Sequence, residues 1–381
     1  MADAGTIKPI LPDKTDEIAG TAMALHREAA MLSGLWHPAT RMQLKGLVRY
    51  VNCYYSNLIE DQHIHPEYVA KAFQGIYEND PYKRKMQLLS RGCLKIQQFL
   101  EKRLEDEPDK NISSEDFLRW IHAGLFQRVP REFRETVDAE SGELISVIPG
   151  EMRSDNEAAT ENRLWMQQFL HSYDPSGLRD IDRIIGLAAS HYHLAGLQPF
   201  QVGNGRVLRY FSDAYAMRAE ISADGLWSLS RGIARNRDEY RRFFKPAEGD
   251  RNGKQLHDFC LFFLELCLGQ VRFMKDILDA DQLLRRVHKY VSVRAVETSG
   301  RPELRSEARY LLETVLLRGS IARGEAPRIT GLGERTARTL VSSLLEEGLL
   351  ESENHKAPLR AGFPTHVVGW WFSHLYPEGM I

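Results

Sequence analysis

The chain has 381 residues, and its 50 Lys and Arg residues nearly balance its 52 Asp and Glu residues, for a net charge of -2. This balance excludes a protein that binds nucleic acid or anionic lipid along its whole length, although it leaves room for a small basic module. The length predicts two or three domains, and a hydrophobic fraction of 43% is typical of globular chains.

The spacing of the cysteines and the length of the apolar runs indicate the cellular compartment. The four cysteines, Cys53, Cys93, Cys260 and Cys267, form no C-x-x-C pair and have no zinc-type histidine spacing, so we expect reduced, packed thiols. The first 12 residues lack the apolar core of a signal peptide, and the most apolar run, 259–271, is too short to span a membrane. We therefore expect a cytoplasmic protein without a membrane partner.

Most of the chain has the apolar spacing of helices. Helices are predicted over 16–35, 41–53, 66–77, 83–104, 155–170, 180–196 and 204–218. Segment 137–153 differs, with a Ser-Gly turn, a β-rich run and then Pro149-Gly150, and it fits a short hairpin and a plain surface loop equally well. We expect a mainly α fold in three regions: 1–110, 111–284 and 285–381.

The C-terminal region is predicted to be a winged helix-turn-helix module. It opens with a basic helix and continues with helices over 307–318 and 334–347, and alternating residues over 349–364 resemble a wing. The exposed face of the second helix offers Arg335, Arg338 and Thr339, which suits DNA, dimerisation or domain packing. We interpret Trp370 and Trp371 as core or interface residues rather than a base-stacking platform. The basic helix carries Arg285, Arg286, Lys289 and Arg294.

The loop before the helix at 204 carries the clearest chemical signal. Gly203 and Gly205 bracket Asn204, so backbone amides can approach a ligand closely at a helix N-terminus, which favours negative charge. Arg206 and Arg209 are three residues apart and share one helix face. These features predict a polyphosphate pocket; the alternative is a glycine-rich turn with two surface arginines.

The segment 198–209 resembles the motif H-P-F-x-[D/E]-G-N-G-R-x-x-R of the Fic (Fido) family. The matching positions are Pro199, Phe200, Gly203, Asn204, Gly205, Arg206 and Arg209. Upstream, Ser56 and Glu60 resemble the inhibitory helix motif [S/T]-x-x-x-E-[G/N] of that family, in a helix near 50–61, with Asp61 at the last position. Segment 137–153, with Pro149, Gly150 and Arg153, looks like the flap that holds a target peptide by strand addition.

The resemblance implies an ATP-dependent transfer of AMP to a hydroxyl of a protein target. It implies that the amides of 203–205 and the Asn204 side chain hold the α-phosphate, that Arg206 pairs with the β-phosphate and that Arg209 pairs with the γ-phosphate. Glu60, by reaching Arg209, would displace the γ-phosphate; the alternative is a helix-end carboxylate that forms a purely structural salt bridge with Arg209. Phe200 would anchor the loop in the core.

Two motif positions depart from the family. Gln198 stands where the family has the histidine that acts as general base, and an amide is no base near neutral pH. Val202 stands where a carboxylate holds Mg²⁺, which requires oxygen ligands. We expect His191, His193 and Asp213 to be packed helical side chains rather than replacements for these groups.

Two functional hypotheses follow. The first is an ATP-binding protein related to protein adenylyltransferases, impaired in catalysis and autoinhibited by Glu60, with an unknown protein target. The alternative is a non-catalytic transcriptional or interaction regulator that acts through the C-terminal winged helix, on DNA or on a partner. Whether the chain is an enzyme and whether it forms a homodimer are left open by the sequence.

Overall fold

The computed structural model describes residues 9–137, 142, 144–153, 159–244, 253–296 and 303–379. Within them the chain forms two compact units. Unit 1 consists of the described parts of Met1–Ala29, Asn52–Ala223 and Ser228–Gln270, and unit 2 consists of those of Ala30–Val51, Asp224–Trp227 and Val271–Ile381. The predicted division into regions 1–110, 111–284 and 285–381 stays a prediction.

Helices dominate the described residues, which confirms the mainly α prediction. The first eleven are α1 (Asp16–Ser33), α2 (Pro38–Ile59), α3 (Pro66–Gln74), α4 (Pro81–Asp106), α5 (Glu115–Phe126), α6 (Ala159–Ser172), α7 (Asp180–Leu197), α8 (Asn204–Arg218), α9 (Leu229–Arg235), α10 (Arg237–Arg242) and α11 (Lys254–Ile277). α2 runs beyond the predicted end at 53 and carries Ser56 of the inhibitory motif in its last turn, and Glu60 lies in the turn that follows the helix.

The centre of unit 1 is formed by α7 and α8, which pack against each other. Every residue of α7 from Ile184 to Leu194 is buried, and so are most residues of α8. These two helices nevertheless carry polar side chains, because the buried set includes His191, Arg206, Arg209 and Ser212. Buried polar groups require partners, so the polar side chains of this core are tied to specific neighbours.

Segment 137–153, which the sequence predicted as either a hairpin or a surface loop, contributes to a hairpin. β1 (Glu135–Val137) pairs in antiparallel fashion with β2 (Leu144–Ser146), with Thr136 opposite Ile145. The first strand begins two residues before the predicted range 137–153, and residues 138–141 and 143 of that range lie outside the described residues. Val137 and Leu144 are exposed at the paired ends.

Unit 2 contains α12 (Ala280–Arg294), α13 (Ala308–Arg318), α14 (Ala326–Thr330), α15 (Glu334–Glu346), the antiparallel strands β3 (Leu350–Glu351) and β4 (Arg360–Ala361), and α16 (Thr365–Trp371). The sequence did not predict the short helix α14. A further bridge joins Ile321 to Leu359. The order of three helices and a small hairpin fits the winged helix-turn-helix interpretation, which stays a prediction.

Individual side chains of unit 2 test the sequence interpretation. Trp371 is in the core, as interpreted, whereas Trp370 is 45% exposed, so for Trp370 the interface interpretation stays a prediction. Arg294 of the basic helix is buried in a two-point ion pair with Glu347, with N–O distances of 3.0 and 3.2 Å. It therefore contributes no charge to the outer face of α12.

The cysteine expectation is met within the described residues. All four cysteines are buried free thiols, as expected for packed, reduced side chains. Among the described helices, none combines the length and the apolar character that crossing a membrane requires.

Candidate functional site

The loop between α7 and α8 is shaped by its own backbone. Gln198 ends α7 in the left-handed region (φ 43°, ψ 61°), and Gly203 begins α8 with φ 81°. The Asn204 side chain closes the loop, since its Oδ1 accepts the Phe200 N–H at 2.9 Å and its Nδ2 donates to the Phe200 carbonyl at 2.6 Å. Phe200 is fully buried, which confirms its expected role as the anchor. The two hydrogen bonds use one of the two Nδ2 hydrogens of Asn204 and orient its amide.

The two glycines of the loop leave room for different neighbours. A Cβ on Gly203 would lie 2.5 Å from the Phe126 ring, and a Cβ on Gly205 would lie 2.6 Å from Glu60 Oε1. Gly203 therefore permits the loop to pack on an aromatic ring. Gly205 permits a carboxylate to lie directly against the N-terminus of α8, where negative charge is favoured.

Arg206 and Arg209 both point toward the end of α2, and both are buried. Arg209 donates from Nε to Ser56 Oγ at 3.0 Å and from Nη2 to the Ser56 carbonyl at 3.2 Å. Its Nη2 also lies 2.7 Å from Glu60 Oε1. Arg206 makes a longer contact, 3.4 Å from Nη2 to Asn57 Oδ1. The structure therefore brings the predicted phosphate-binding arginines together with the predicted inhibitory residues.

The Glu60 carboxylate is held in its charged form. Burial acts to raise the pKa of Glu60, but the Arg209 guanidinium, followed by that of Arg206, outweighs burial and lowers the pKa below its ordinary value. An ionised carboxylate therefore lies between two guanidinium groups and a helix N-terminus. The same guanidinium groups and helix N-terminus would suit a phosphate, and here the Glu60 carboxylate takes that place as the anion.

Asp61, which departs from the Gly or Asn of the inhibitory motif, is explained by the backbone. It adopts φ 56°, a left-handed conformation that Gly, Asn and Asp all tolerate. Its carboxylate lies 2.7 Å from Arg237 Nη2, and the same nitrogen donates to the Ile59 carbonyl at 2.8 Å. Asp61 is therefore compatible with the turn that presents Glu60.

The two degenerate positions lie on the loop and offer no replacement chemistry. The Gln198 side chain is exposed, and Val202 is half-buried with an alkyl side chain where a metal ligand is expected. Among the described residues, no group of three or more His, Cys, Asp or Glu residues is placed to hold a metal ion. The donor set of this loop therefore does not fit Mg²⁺.

His122 of α5, which the sequence analysis missed, connects the flap to the loop. Its Nδ1 accepts the Gly150 N–H at 2.8 Å, so Nε2 carries the proton that faces the Val202 carbonyl at 3.2 Å. The imidazole is stacked between the rings of Phe200 (4.1 Å) and Phe126 (4.4 Å). Nothing in the local sequence distinguishes this residue from any histidine on a buried helix face.

Further hydrogen bonds hold the base of the flap. The Arg153 N–H donates to the Pro199 carbonyl at 2.8 Å, which joins the flap directly to the loop. Arg119 Nη1 donates to the Gly150 carbonyl at 2.9 Å, and Gly150 has φ 87°. Pro149 is half-buried beside it. The predicted flap residues therefore lie against the predicted nucleotide loop.

The hydrogen bonds of His122 to Gly150 and Val202, here called the His122 clamp, predict how stability depends on pH. Burial lowers the pKa of His122 to about 4, against the opposing effect of its hydrogen bond to Val202. The pKa of this histidine is near 6.5 in the unfolded chain and about 4 in the folded protein. The free energy of unfolding therefore falls as the pH is lowered from 6.5 to 4, by at most about 3 kcal/mol. We expect His122→Gln to flatten the dependence of the urea midpoint on pH between 6.5 and 4. An unchanged slope in the variant would contradict the assignment.

The other histidines and Asp213 are structural. His191 is fully buried, with Ser212 Oγ 2.7 Å from its Nδ1 and the Tyr240 hydroxyl 2.8 Å from its Nε2, and burial lowers its pKa well below the ordinary value. His193 stacks on Trp165 at 5.7 Å. Asp213 accepts a 3.1 Å hydrogen bond from Asn52, and burial raises its pKa to about 7. These contacts match the expected packed side chains.

Comparisons with known proteins agree with this geometry. Residues 111–216 match the model of the Fic/DOC family. A Fic family protein from Desulfovibrio desulfuricans G20 has a similar structure, with a TM-score of 0.51 and 16% identity over 93% of this chain and 98% of that one. Fic-1 from C. elegans matches with a TM-score of 0.50 and 16% identity over 69% of this chain and 73% of that one. At this identity the two structures show a shared fold.

Proposed function

We propose that this chain, which belongs to the Fic/DOC family through residues 111–216, binds ATP in the loop between α7 and α8 and is autoinhibited by Glu60. The observation that carries the proposal is the 2.7 Å contact between the Glu60 carboxylate and Arg209 at the N-terminus of α8. A carboxylate in this place satisfies donors that otherwise suit a phosphate.

The assignment of groups to phosphates follows the family. The amides of 203–205 and the Asn204 side chain are proposed to hold the α-phosphate, Arg206 the β-phosphate and Arg209 the γ-phosphate. The two hydrogen bonds between Asn204 and Phe200 hold the loop in shape, and the second Nδ2 hydrogen is proposed to face phosphate. The clamp through His122 keeps the flap beside the loop in the same way.

Autoinhibition is proposed to act through competition for one nitrogen. Arg209 Nη2 is shared by Glu60 and the Ser56 carbonyl, whereas Nε is held by the Ser56 hydroxyl. Removing Glu60 would therefore free a donor while Ser56 keeps the guanidinium oriented. The γ-phosphate would then take the place of the carboxylate.

Transfer of AMP is proposed to be impaired because two groups lack the required chemistry. Gln198 cannot accept the proton of an attacking hydroxyl, and loss of a positioned base typically slows a reaction by about two to four orders of magnitude. Val202 offers no oxygen to Mg²⁺, so no catalytic step is assigned to a metal here. The protein target, reached by strand addition to the flap, is part of the same proposal.

Calorimetric titration of ATP tests this function. We expect Glu60→Gly to tighten ATP binding by about tenfold or more, because one charge-assisted contact at Arg209 becomes available to phosphate. Asp61→Asn is the matched control, since Asp61 is a neighbouring carboxylate paired with Arg237 instead, and it should leave ATP affinity unchanged. Chelating Mg²⁺ should have little effect on binding. Absence of ATP binding in all three chains would refute the proposal.

The alternative function, a regulator that acts through the winged helix, has weaker support. Arg335 and Arg338 of α15 are exposed, as a DNA-contacting helix requires. However, Arg338 lies 3.2 Å from Glu334, which reduces the positive charge that this face presents. Homodimer formation and a cytoplasmic location stay predictions.

A further inference from the structure

A cavity of about 380 Å³ in unit 2 is lined by cations and an indole. It lies where α12 packs against α16. The residues that line it are Arg286, Lys289, His366, Gly369 and Trp370. No carboxylate is among these lining residues, so the cavity is suited to an anion.

Helical spacing explains why these side chains meet. Arg286 and Lys289 are three residues apart on α12, and His366 and Trp370 are four apart on α16, so each pair shares one helix face. Arg286 also donates to the Ile277 carbonyl, which fixes its guanidinium. The carboxylate of Asp279, near the start of α12, caps that helix by accepting the Gln282 N–H at 3.0 Å and also attracts the Arg286 guanidinium, so Lys289 is the cation on which the site chiefly depends.

Trp370 supplies an aromatic surface beside the cations. Its side chain is 45% exposed, whereas the adjacent Trp371 is in the core. The Tyr290 ring meets the Trp370 indole at 5.8 Å with an interplanar angle of 65°, an edge-to-face contact that holds the indole in place. An exposed, supported indole next to basic groups is the combination with which proteins hold an unpaired base and its phosphate.

We propose that this cavity binds one nucleotide of a single-stranded nucleic acid, with Lys289 and Arg286 facing the phosphate and the base stacked on Trp370. The volume lies at the lower end of the range of about 300–1,000 Å³ for small-ligand pockets, which suits one nucleotide. An acidic peptide would satisfy the cations but would leave the indole face unused. The cavity is built from residues of unit 2 alone, so the proposal does not depend on ATP binding by the loop of unit 1.

Fluorescence anisotropy of a labelled 12-nucleotide DNA strand tests the proposal on the full chain. We expect Trp370→Ala to weaken binding by about tenfold, the effect of losing one stacked base. Lys289→Gln is expected to reduce the slope of log affinity against log salt by roughly 0.7, as for one lost phosphate contact on a single strand. Lys289 is exposed and Trp370 is 45% exposed, outside the core, so both variants should fold. Arg285→Gln, which removes an exposed cation of α12 that does not line the cavity, is the control and should bind like the native chain.

Several results would overturn the proposal. One is the absence of strand binding at low salt, and another is a loss of binding in Arg285→Gln but not in Trp370→Ala. Competition by polyglutamate as strong as that by unlabelled strand would assign the cavity to an acidic peptide. Competition by free dAMP as strong as that by the strand would assign it to a mononucleotide.

Discussion

Transfer of AMP is expected to rise by about two to four orders of magnitude when Gln198→His and Val202→Asp are combined with Glu60→Gly. The histidine would take the proton of the attacking hydroxyl while the hydroxyl oxygen forms a bond to the α-phosphorus of ATP. The bond between the α-phosphorus and the oxygen that bridges to the β-phosphate would break, and pyrophosphate would leave. The carboxylate would restore an oxygen ligand for Mg²⁺. Release of pyrophosphate, together with a mass gain of one AMP on the chain or on proteins of a cell extract, measures the reaction.

The structure indicates that both substitutions can be accommodated. Gln198 has φ 43°, a left-handed conformation in which histidine is enriched among non-glycine residues. The Val202 carbonyl faces His122, but this contact uses the backbone and not the side chain. The control is Glu60→Gly alone, which should bind ATP without transferring AMP. Equal transfer by the control and by the triple variant would show that Gln198 and Val202 do not limit the reaction.

Gly203→Ala is expected to cause the largest loss of stability among substitutions in the loop, about 3 kcal/mol. An L-residue in the left-handed region costs about 1–2 kcal/mol, and the added Cβ would lie 2.5 Å from the Phe126 ring, which adds about 1–3 kcal/mol of overpacking. The ring cannot retreat freely because it stacks on His122. Urea unfolding followed by circular dichroism measures the loss.

Gly205→Ala is the matched control for this effect. Its Cβ would lie 2.6 Å from Glu60 Oε1, the end of a flexible side chain that can move away, and Gly205 has a helical conformation that suits alanine. We expect a stability loss below about 1 kcal/mol. Equal losses for the two alanine variants would mean that Phe126 does not restrain Gly203.

Sequence reasoning identified the parts of the site that depend on short-range geometry. Helical periodicity alone places Arg206 and Arg209 on one face, and the glycines around Asn204 indicate a close backbone approach at a helix start. The resemblance to a known motif then added Glu60, which the structure places 2.7 Å from Arg209. These features are encoded within a turn or two of helix, which explains why the sequence revealed them.

The features that the sequence did not reveal depend on contacts distant along the chain. His122 acts as a clamp only because the fold brings Gly150 and Val202 to its two nitrogens and two phenylalanines to its faces. Trp370 and Trp371 are adjacent and chemically identical, yet Trp370 is exposed and Trp371 is buried, because only one face of α16 packs against neighbouring elements. The hydrogen bonds of Asn204 to both backbone groups of Phe200 likewise depend on how the loop folds back on itself.

The most direct test of the central claim is a crystal structure of the Glu60→Gly chain with a non-hydrolysable ATP analogue. We predict a phosphate oxygen within hydrogen-bonding distance of Arg209 Nη2, where Glu60 Oε1 now lies at 2.7 Å, and a second phosphate that faces Arg206. A nucleotide bound elsewhere on the chain, or an empty loop under conditions in which calorimetry shows saturation, would contradict the claim.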